Sequence, residues 1–64
     1  MTRIRRGNYI FVTWKGDHPP HHVHVYRDRD LVLKWNLVAG VVLEGKASSR
    51  LLRLIRELRR EGRL

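Results

Sequence analysis

A chain of 64 residues without cysteine excludes a two-domain protein and any disulfide or thiolate–metal site, so a single domain over residues 1–64 is predicted. Fourteen Lys and Arg against six Asp and Glu give a net charge of +8, which favours a nucleic acid or an acidic protein as partner. No apolar run approaches the ~20 residues of a membrane span, and no signal-peptide pattern is visible. These features predict a cytoplasmic protein with no membrane partner.

The first two thirds of the chain has the pattern of β-strands. One segment is rich in β-branched and aromatic residues, and two more alternate with period two. The three predicted strands are Tyr9–Trp14, His22–Arg27 and Leu31–Leu37. Asp28–Asp30 predicts a hairpin turn between the last two, and residues 41–43, after a turn at Ala39-Gly40, are either a fourth strand or an extended loop.

The alternation assigns side chains to faces of the predicted sheet. His22, His24 and Tyr26 share one face of their strand, because residues two apart on a strand point the same way. In the next strand, one face is predicted to hold the following apolar residues: Leu31, Leu33, Trp35 and Leu37.

The last part of the chain changes to helical periodicity. A helix is predicted over Arg50–Glu61, with Ser48 or Ser49 as its N-cap and Gly62 as its stop. Its apolar stripe is Leu51, Leu54, Ile55 and Leu58, and its opposite face carries Arg53, Arg56 and Arg60. The predicted fold class is therefore α+β, a small antiparallel sheet of three to four strands followed by one C-terminal amphipathic helix.

All four histidines lie within residues 18–24, and this cluster is the most distinctive chemical feature of the sequence. His18, His22 and His24 could together bind zinc or another divalent metal, with Asp17 as an oxygen ligand or an orienting group. Alternatively, His22 and His24 act as general acid or base, since imidazole exchanges protons near neutral pH. A third interpretation is structural, in which the imidazoles cap backbone groups and pack on Trp14, Tyr26 or Trp35.

The segment Asp17-His18-x-Pro20-x-His22-Val23-His24-Val25 resembles the motif of a bacterial family, domain-of-unknown-function family 4160. The aromatic strand before it and the Ser-capped helix after it also fit, although His21 stands where the family usually has a second proline. The resemblance implies no particular activity. It does imply a toxin–antitoxin-like pair with a neighbouring small protein, and the order of strands and helix is similar to that of HicA-type RNA-targeting toxins.

Three functions follow from these observations, and the leading hypothesis is a nucleic-acid-binding or toxin–antitoxin-like module that contacts RNA or DNA. Its predicted binding residues are two groups of arginines, Arg3, Arg5 and Arg6 near the amino end and Arg53, Arg56 and Arg60 on the helix. The second hypothesis is an interaction subunit that docks on a small acidic protein. The third is a metal-binding protein or hydrolase built on the histidine cluster. A homodimer is compatible with each, because so small a core is only marginally stable alone.

Overall fold

The computed structural model describes residues 2–14 and 21–64, which form an antiparallel sheet and one helix. The strands are β1 Thr2–Arg6, β2 Tyr9–Thr13, β3 His22–Arg27, β4 Asp30–Asn36 and β5 Val41–Gly45, and the helix is α1 Ser49–Arg60. Each strand pairs with its neighbour in sequence, so the spatial order is β1-β2-β3-β4-β5. The predicted α+β class is confirmed, but the predicted number of strands is wrong, because the sheet has five.

The strand that the sequence pattern did not predict is β1. Ile4 is its only buried residue and lies opposite Phe11, so the strand depends on pairing with β2 more than on its own composition. Arg6 pairs with Tyr9 and leaves a two-residue loop that starts at Gly7, whose φ is 61°. A hairpin of this length favours a glycine with positive φ at the first loop position.

The fifth strand settles the alternative left open for residues 41–43, which belong to β5 and not to an extended loop. Its last residue, Gly45, has a φ of 85°, and a Cβ there would collide with the backbone carbonyl of Val32 on β4. Glycine is therefore required where β5 turns away towards the helix.

The core lies between one face of the sheet and α1. It consists of Ile4, Phe11, Val23, Val25, Leu33 and Leu37 from the sheet side and Leu51, Ile55 and Leu58 from the helix. Ser48 is the N-cap, since its side chain accepts a hydrogen bond from the backbone N–H of Leu51 at 3.1 Å. The predicted apolar stripe of the helix is confirmed, with Leu54 packed against this core as its partly buried member.

The predicted face of Leu31 in β4 is wrong, because Leu31 does not share the core-facing side of Leu33 and Trp35. The pairing of β3 with β4 shifts between Val25, which lies opposite Leu33, and Tyr26, which lies opposite Leu31. Val32 is the extra residue of this bulge and packs against the core, whereas Leu31 is 39% exposed. A bulge reverses the simple alternation on one side of the irregularity, which a period-two pattern does not reveal.

Candidate nucleic-acid interface

The face of the sheet that is turned away from α1, here called the outer face, carries histidine, aromatic and charged side chains that could bind a ligand or take part in a reaction. Strand register places Arg3, Val12, His24, Lys34 and Glu44 in one row across all five strands. Residues directly opposite each other on neighbouring strands project to the same face. The row therefore brings cations on β1 and β4 to either side of His24, with Glu44 next to Lys34.

Four rings follow one another along the outer face, and together they are called the ring strip: Trp14, His22, His24 and Tyr26. His24 is central, with its ring centroid 4.7 Å from that of Trp14 in an edge-on arrangement. The centroid of His22 lies 5.0 Å from His24, and that of Tyr26 lies 6.4 Å away with the rings nearly parallel, at 15°. The prediction that His22, His24 and Tyr26 share a face is confirmed, and the structure adds Trp14 to them.

Beside the ring strip, the outer face contains two shallow grooves of about 300 and 340 Å³ that meet at Ile10 and Asp28. The first is lined by Arg3, Ile10, Val12, Trp14, Tyr26 and Asp28, and the second by Arg5, Asn8, Ile10, Asp28 and Arg29. The grooves thus combine apolar and aromatic side chains with three arginines and one aspartate, Asp28. This combination can take up a flat apolar ring that is attached to an anionic group.

The amino-terminal arginines predicted to bind nucleic acid divide between the two sides of the sheet. Arg3 and Arg5 line the outer-face grooves. Arg6 lies on the helix side, where its guanidinium donates two hydrogen bonds to the carboxylate of Glu61, at 2.6 and 2.9 Å. These hydrogen bonds lower the pKa of Glu61 and raise that of Arg6. Arg6 is therefore engaged in joining β1 to the end of α1.

The predicted helix arginines lie on a separate surface. Arg53, Arg56 and Arg60 line a groove of about 550 Å³ along α1, together with Ser49, Leu52 and Glu57. The buried stripe of α1 faces the sheet, so this groove and the ring strip are on opposite sides of the molecule. The helix surface contains no aromatic side chain among its lining residues, which distinguishes it chemically from the outer face.

The predicted metal site depends on residues that the structure does not cover. Asp17 and His18 lie outside the described residues, and the zinc prediction that includes His18 stays a prediction. Within residues 2–14 and 21–64, no group of three or more His, Cys, Asp or Glu side chains is placed to hold a metal ion. In that part of the chain, His22 and His24 are the two imidazoles brought together, and His21 is exposed just before β3.

The predicted binding residues do not include Trp14 or Lys34, although Trp14 is one of the aromatic side chains on which the imidazoles are predicted to pack, and its contact with His24 confirms this. Trp14 follows Ile10 and Val12 at intervals of two residues, so the strand alternation of β2 already assigned it to the side away from Phe11. Lys34 required the register of β3 with β4, which places it opposite His24.

The fold and the site define a class of small α+β domains. In this class, one face of the sheet packs on a helix and the other face is lined with rings and cations. The chain matches the family described as "Domain of unknown function (DUF4160)" over residues 7–63, and it belongs to that family. The resemblance expected from the histidine motif is thereby confirmed. No curated protein and no solved structure matches the chain. In residues 2–14 and 21–64, no helix has the length and apolar content needed to cross a membrane.

Proposed function

We propose that the protein binds single-stranded nucleic acid across the outer face of its sheet. The observation that carries this proposal is the ring strip, in which Trp14 and Tyr26 each lie against His24, between cations on β1 and β4. Single strands are bound by surfaces that combine stacking rings with positive charge along the path of the backbone. Both components are present on this face.

The form of the outer face favours a single strand over a duplex. Bases in a duplex are stacked on one another and expose only their edges, whereas unpaired bases can stack on aromatic side chains. Trp14 is 37% exposed, and it borders the groove that also contains Tyr26. A base that enters this groove would contact the two aromatic rings and the apolar side chains of Ile10 and Val12.

The charges on the outer face agree with this proposal. Arg3 and Arg5 are on the edge strand β1, and both line the grooves, where they can contact the phosphates of a strand whose bases lie on the rings. Lys34 adds a cation on the far side of His24, although Glu44 opposes it on β5. Binding should therefore weaken as salt is raised, with a modest slope that reflects only a few phosphate contacts.

The two tryptophans allow a direct test by fluorescence. Trp14 is on the outer face, whereas Trp35 packs against the core on the helix side. A Trp35→Phe variant leaves Trp14 as the only tryptophan, and a Trp14→Phe variant leaves Trp35, so that excitation selective for tryptophan reports one position at a time. Titration with a short unstructured oligonucleotide should quench the emission of Trp14 and leave the emission of Trp35 nearly constant.

The same titration shows which result would exclude the outer face, and a duplex oligonucleotide serves as its control. Quenching confined to Trp35 would exclude the outer face as the binding surface. So would the absence of oligonucleotide binding at low ionic strength, or binding that does not change with salt concentration. Repetition with a duplex of the same sequence distinguishes stacking of unpaired bases from general attraction to phosphate. Quenching of Trp14 should be weaker with the duplex.

A second candidate function is docking on an acidic protein, and the edge strand β5 favours it. All five residues of β5 are exposed, and its apolar members Val41, Val42 and Leu43 are 49%, 41% and 43% exposed. The other edge, β1, carries arginines, which discourage strand addition. A strand from a partner could therefore extend the sheet at β5, and the +8 charge selects an acidic partner over a second copy. Such a contact would supply the toxin–antitoxin-like pairing that the resemblance implies.

This candidate is tested with a synthetic strand-forming peptide of alternating Val and Glu. A Leu43→Lys variant on β5 should bind the peptide less tightly than the wild type, whereas Val38→Lys, a control in the preceding turn, should bind it normally. Equal binding by both variants would contradict docking at β5. Concentration-dependent dimerisation in sedimentation, abolished by Leu43→Lys, would replace the acidic partner with a second copy.

A further inference from the structure

Two members of the ring strip, His22 and His24, have imidazole groups that can transfer protons, a property that binding alone does not require. The imidazoles of His22 and His24 are neighbours on β3, with ring centroids 5.0 Å apart and planes inclined at 62°. Both lie on the face proposed to hold a single strand. We propose that this pair cleaves RNA bound across the outer face, by attack of a ribose 2′-hydroxyl on the adjacent phosphodiester. This inference rests on the proposed function and names its substrate class, RNA.

The reaction needs two proton transfers and no other reactant. One imidazole accepts the proton of the 2′-hydroxyl while the 2′-oxygen forms a bond to phosphorus. The bond from phosphorus to the 5′-oxygen breaks, and the other imidazole, starting in its protonated form, gives its proton to that oxygen. The products are a 2′,3′-cyclic phosphate and a free 5′-hydroxyl, and no electron is gained or lost.

The spacing of the two rings suits this division of work. A general acid or base must come within about 2.6–3.2 Å of the oxygen that it serves. Rings 5.0 Å apart are close enough for both to reach one phosphodiester, yet their inclined planes direct their nitrogens differently. His24 is also held in place on two sides, by Trp14 at 4.7 Å and by Tyr26 at 6.4 Å, and such ring contacts restrict its orientation.

The surroundings supply the remaining requirements of the reaction. The non-bridging oxygens of the phosphate gain negative charge during attack, and a cation positioned beside them stabilises that charge. Lys34 lies directly opposite His24 across the β3–β4 pair and is the nearest candidate in the strand register. The groove lined by Trp14 and Tyr26 adjoins His24, so a base stacked there brings its own ribose and phosphate to the histidine pair.

The test uses one labelled RNA oligonucleotide, its all-deoxy counterpart and a buffer that contains EDTA. Wild-type protein should cleave the RNA, leave a 2′,3′-cyclic phosphate detectable by mass spectrometry, and bind the DNA without cleaving it. His22→Ala and His24→Ala should each lower the cleavage rate by about 100-fold or more, within the usual range for loss of a general acid or base. His21→Ala is the matched control and should cleave at the wild-type rate.

The readouts separate failure of this inference from failure of the proposed function. Binding of the RNA without cleavage, cleavage that EDTA abolishes, or cleavage that survives both His22→Ala and His24→Ala would overturn the inference and leave the binding proposal intact. Absence of binding to both oligonucleotides would overturn the proposed function itself. Circular dichroism confirms folding of each variant, and His24→Gln replaces His24→Ala if the smaller residue unfolds the sheet.

Discussion

Two pairs of arginines, matched in charge but located on opposite sides of the molecule, give a quantitative test of where nucleic acid binds. The double variant Arg3→Gln/Arg5→Gln removes cations from the outer-face grooves, and Arg53→Gln/Arg56→Gln removes the same charge from the helix groove. Each double variant lowers the net charge by two. Any difference between them therefore reports position and not total charge.

The expected magnitude follows from counterion release. Each phosphate contact with a single strand contributes about 0.7 to the slope of log affinity against log salt concentration, so loss of two contacts should lower the slope by about 1.4. Relative to a 1 M reference, that slope corresponds to about 25-fold weaker binding at 0.1 M salt. The helix pair should change affinity by less than about 3-fold, because charges are screened over about 10 Å at this ionic strength and the molecule measures 26 × 23 × 21 Å.

The assay is fluorescence anisotropy of a labelled oligonucleotide at four or more salt concentrations, with wild type and both double variants. Arg3 and Arg5 are exposed on an edge strand, so their replacement should leave the fold intact, and thermal melts check this. If the helix-pair variant loses as much affinity and as much salt dependence as the β1-pair variant, or more, the binding surface is on α1 and not on the outer face.

Three further predictions concern the fold that supports this surface. Gly45→Ala should lower the free energy of unfolding by about 2–5 kcal/mol, because it combines an unfavourable positive φ with a backbone collision. Gly62→Ala, where φ is 75° but no atom lies within 4 Å of the added Cβ, should lower it by about 1–2 kcal/mol. Urea unfolding of both variants measures the difference. Ser48→Ala should lower the free energy of unfolding by about 0.5–2 kcal/mol through loss of the N-cap, and an equal stability of variant and wild type would contradict the capping bond. Because the hydrogen bonds from Arg6 lower the pKa of Glu61, they stabilise the fold fully above the ordinary carboxyl pKa, and this stabilisation is lost as pH falls through the lowered pKa. Glu61→Gln should therefore reduce the fall in melting temperature that the wild type shows as pH is lowered from 6 to 2.

The elements that the sequence predicted well are those with strong local signals. His22–Arg27 was predicted with its observed bounds, because alternation over six residues is unambiguous. The helix was predicted within one residue of Ser49–Arg60, since its apolar stripe, serine cap and terminal glycine agree. The strand Thr2–Arg6 was missed because one isoleucine among arginines carries little strand preference, although the Gly7-Asn8 pair that follows is itself a hairpin signal.

The candidate site was only partly accessible from the sequence, for a physical reason. Local alternation was enough to put His22, His24 and Tyr26 on one face. The neighbours across the sheet, Arg3 and Lys34, depend on strand register, which a single strand does not encode. The sequence divides the arginines into an amino-terminal group and a helix group, but it does not show that the fold places Arg3 and Arg5 on the side of the molecule opposite to the helix group.

An NMR titration of isotope-labelled protein with a short unstructured RNA shows, residue by residue, whether the outer face binds single-stranded nucleic acid. Binding at the outer face should give the largest shifts at the Trp14 indole and the His24 imidazole, with smaller shifts along β1. Residues of α1, including Arg53 and Arg56, should stay nearly unchanged. Shifts concentrated on α1, with Trp14 and His24 unaffected, would exclude binding at the outer face.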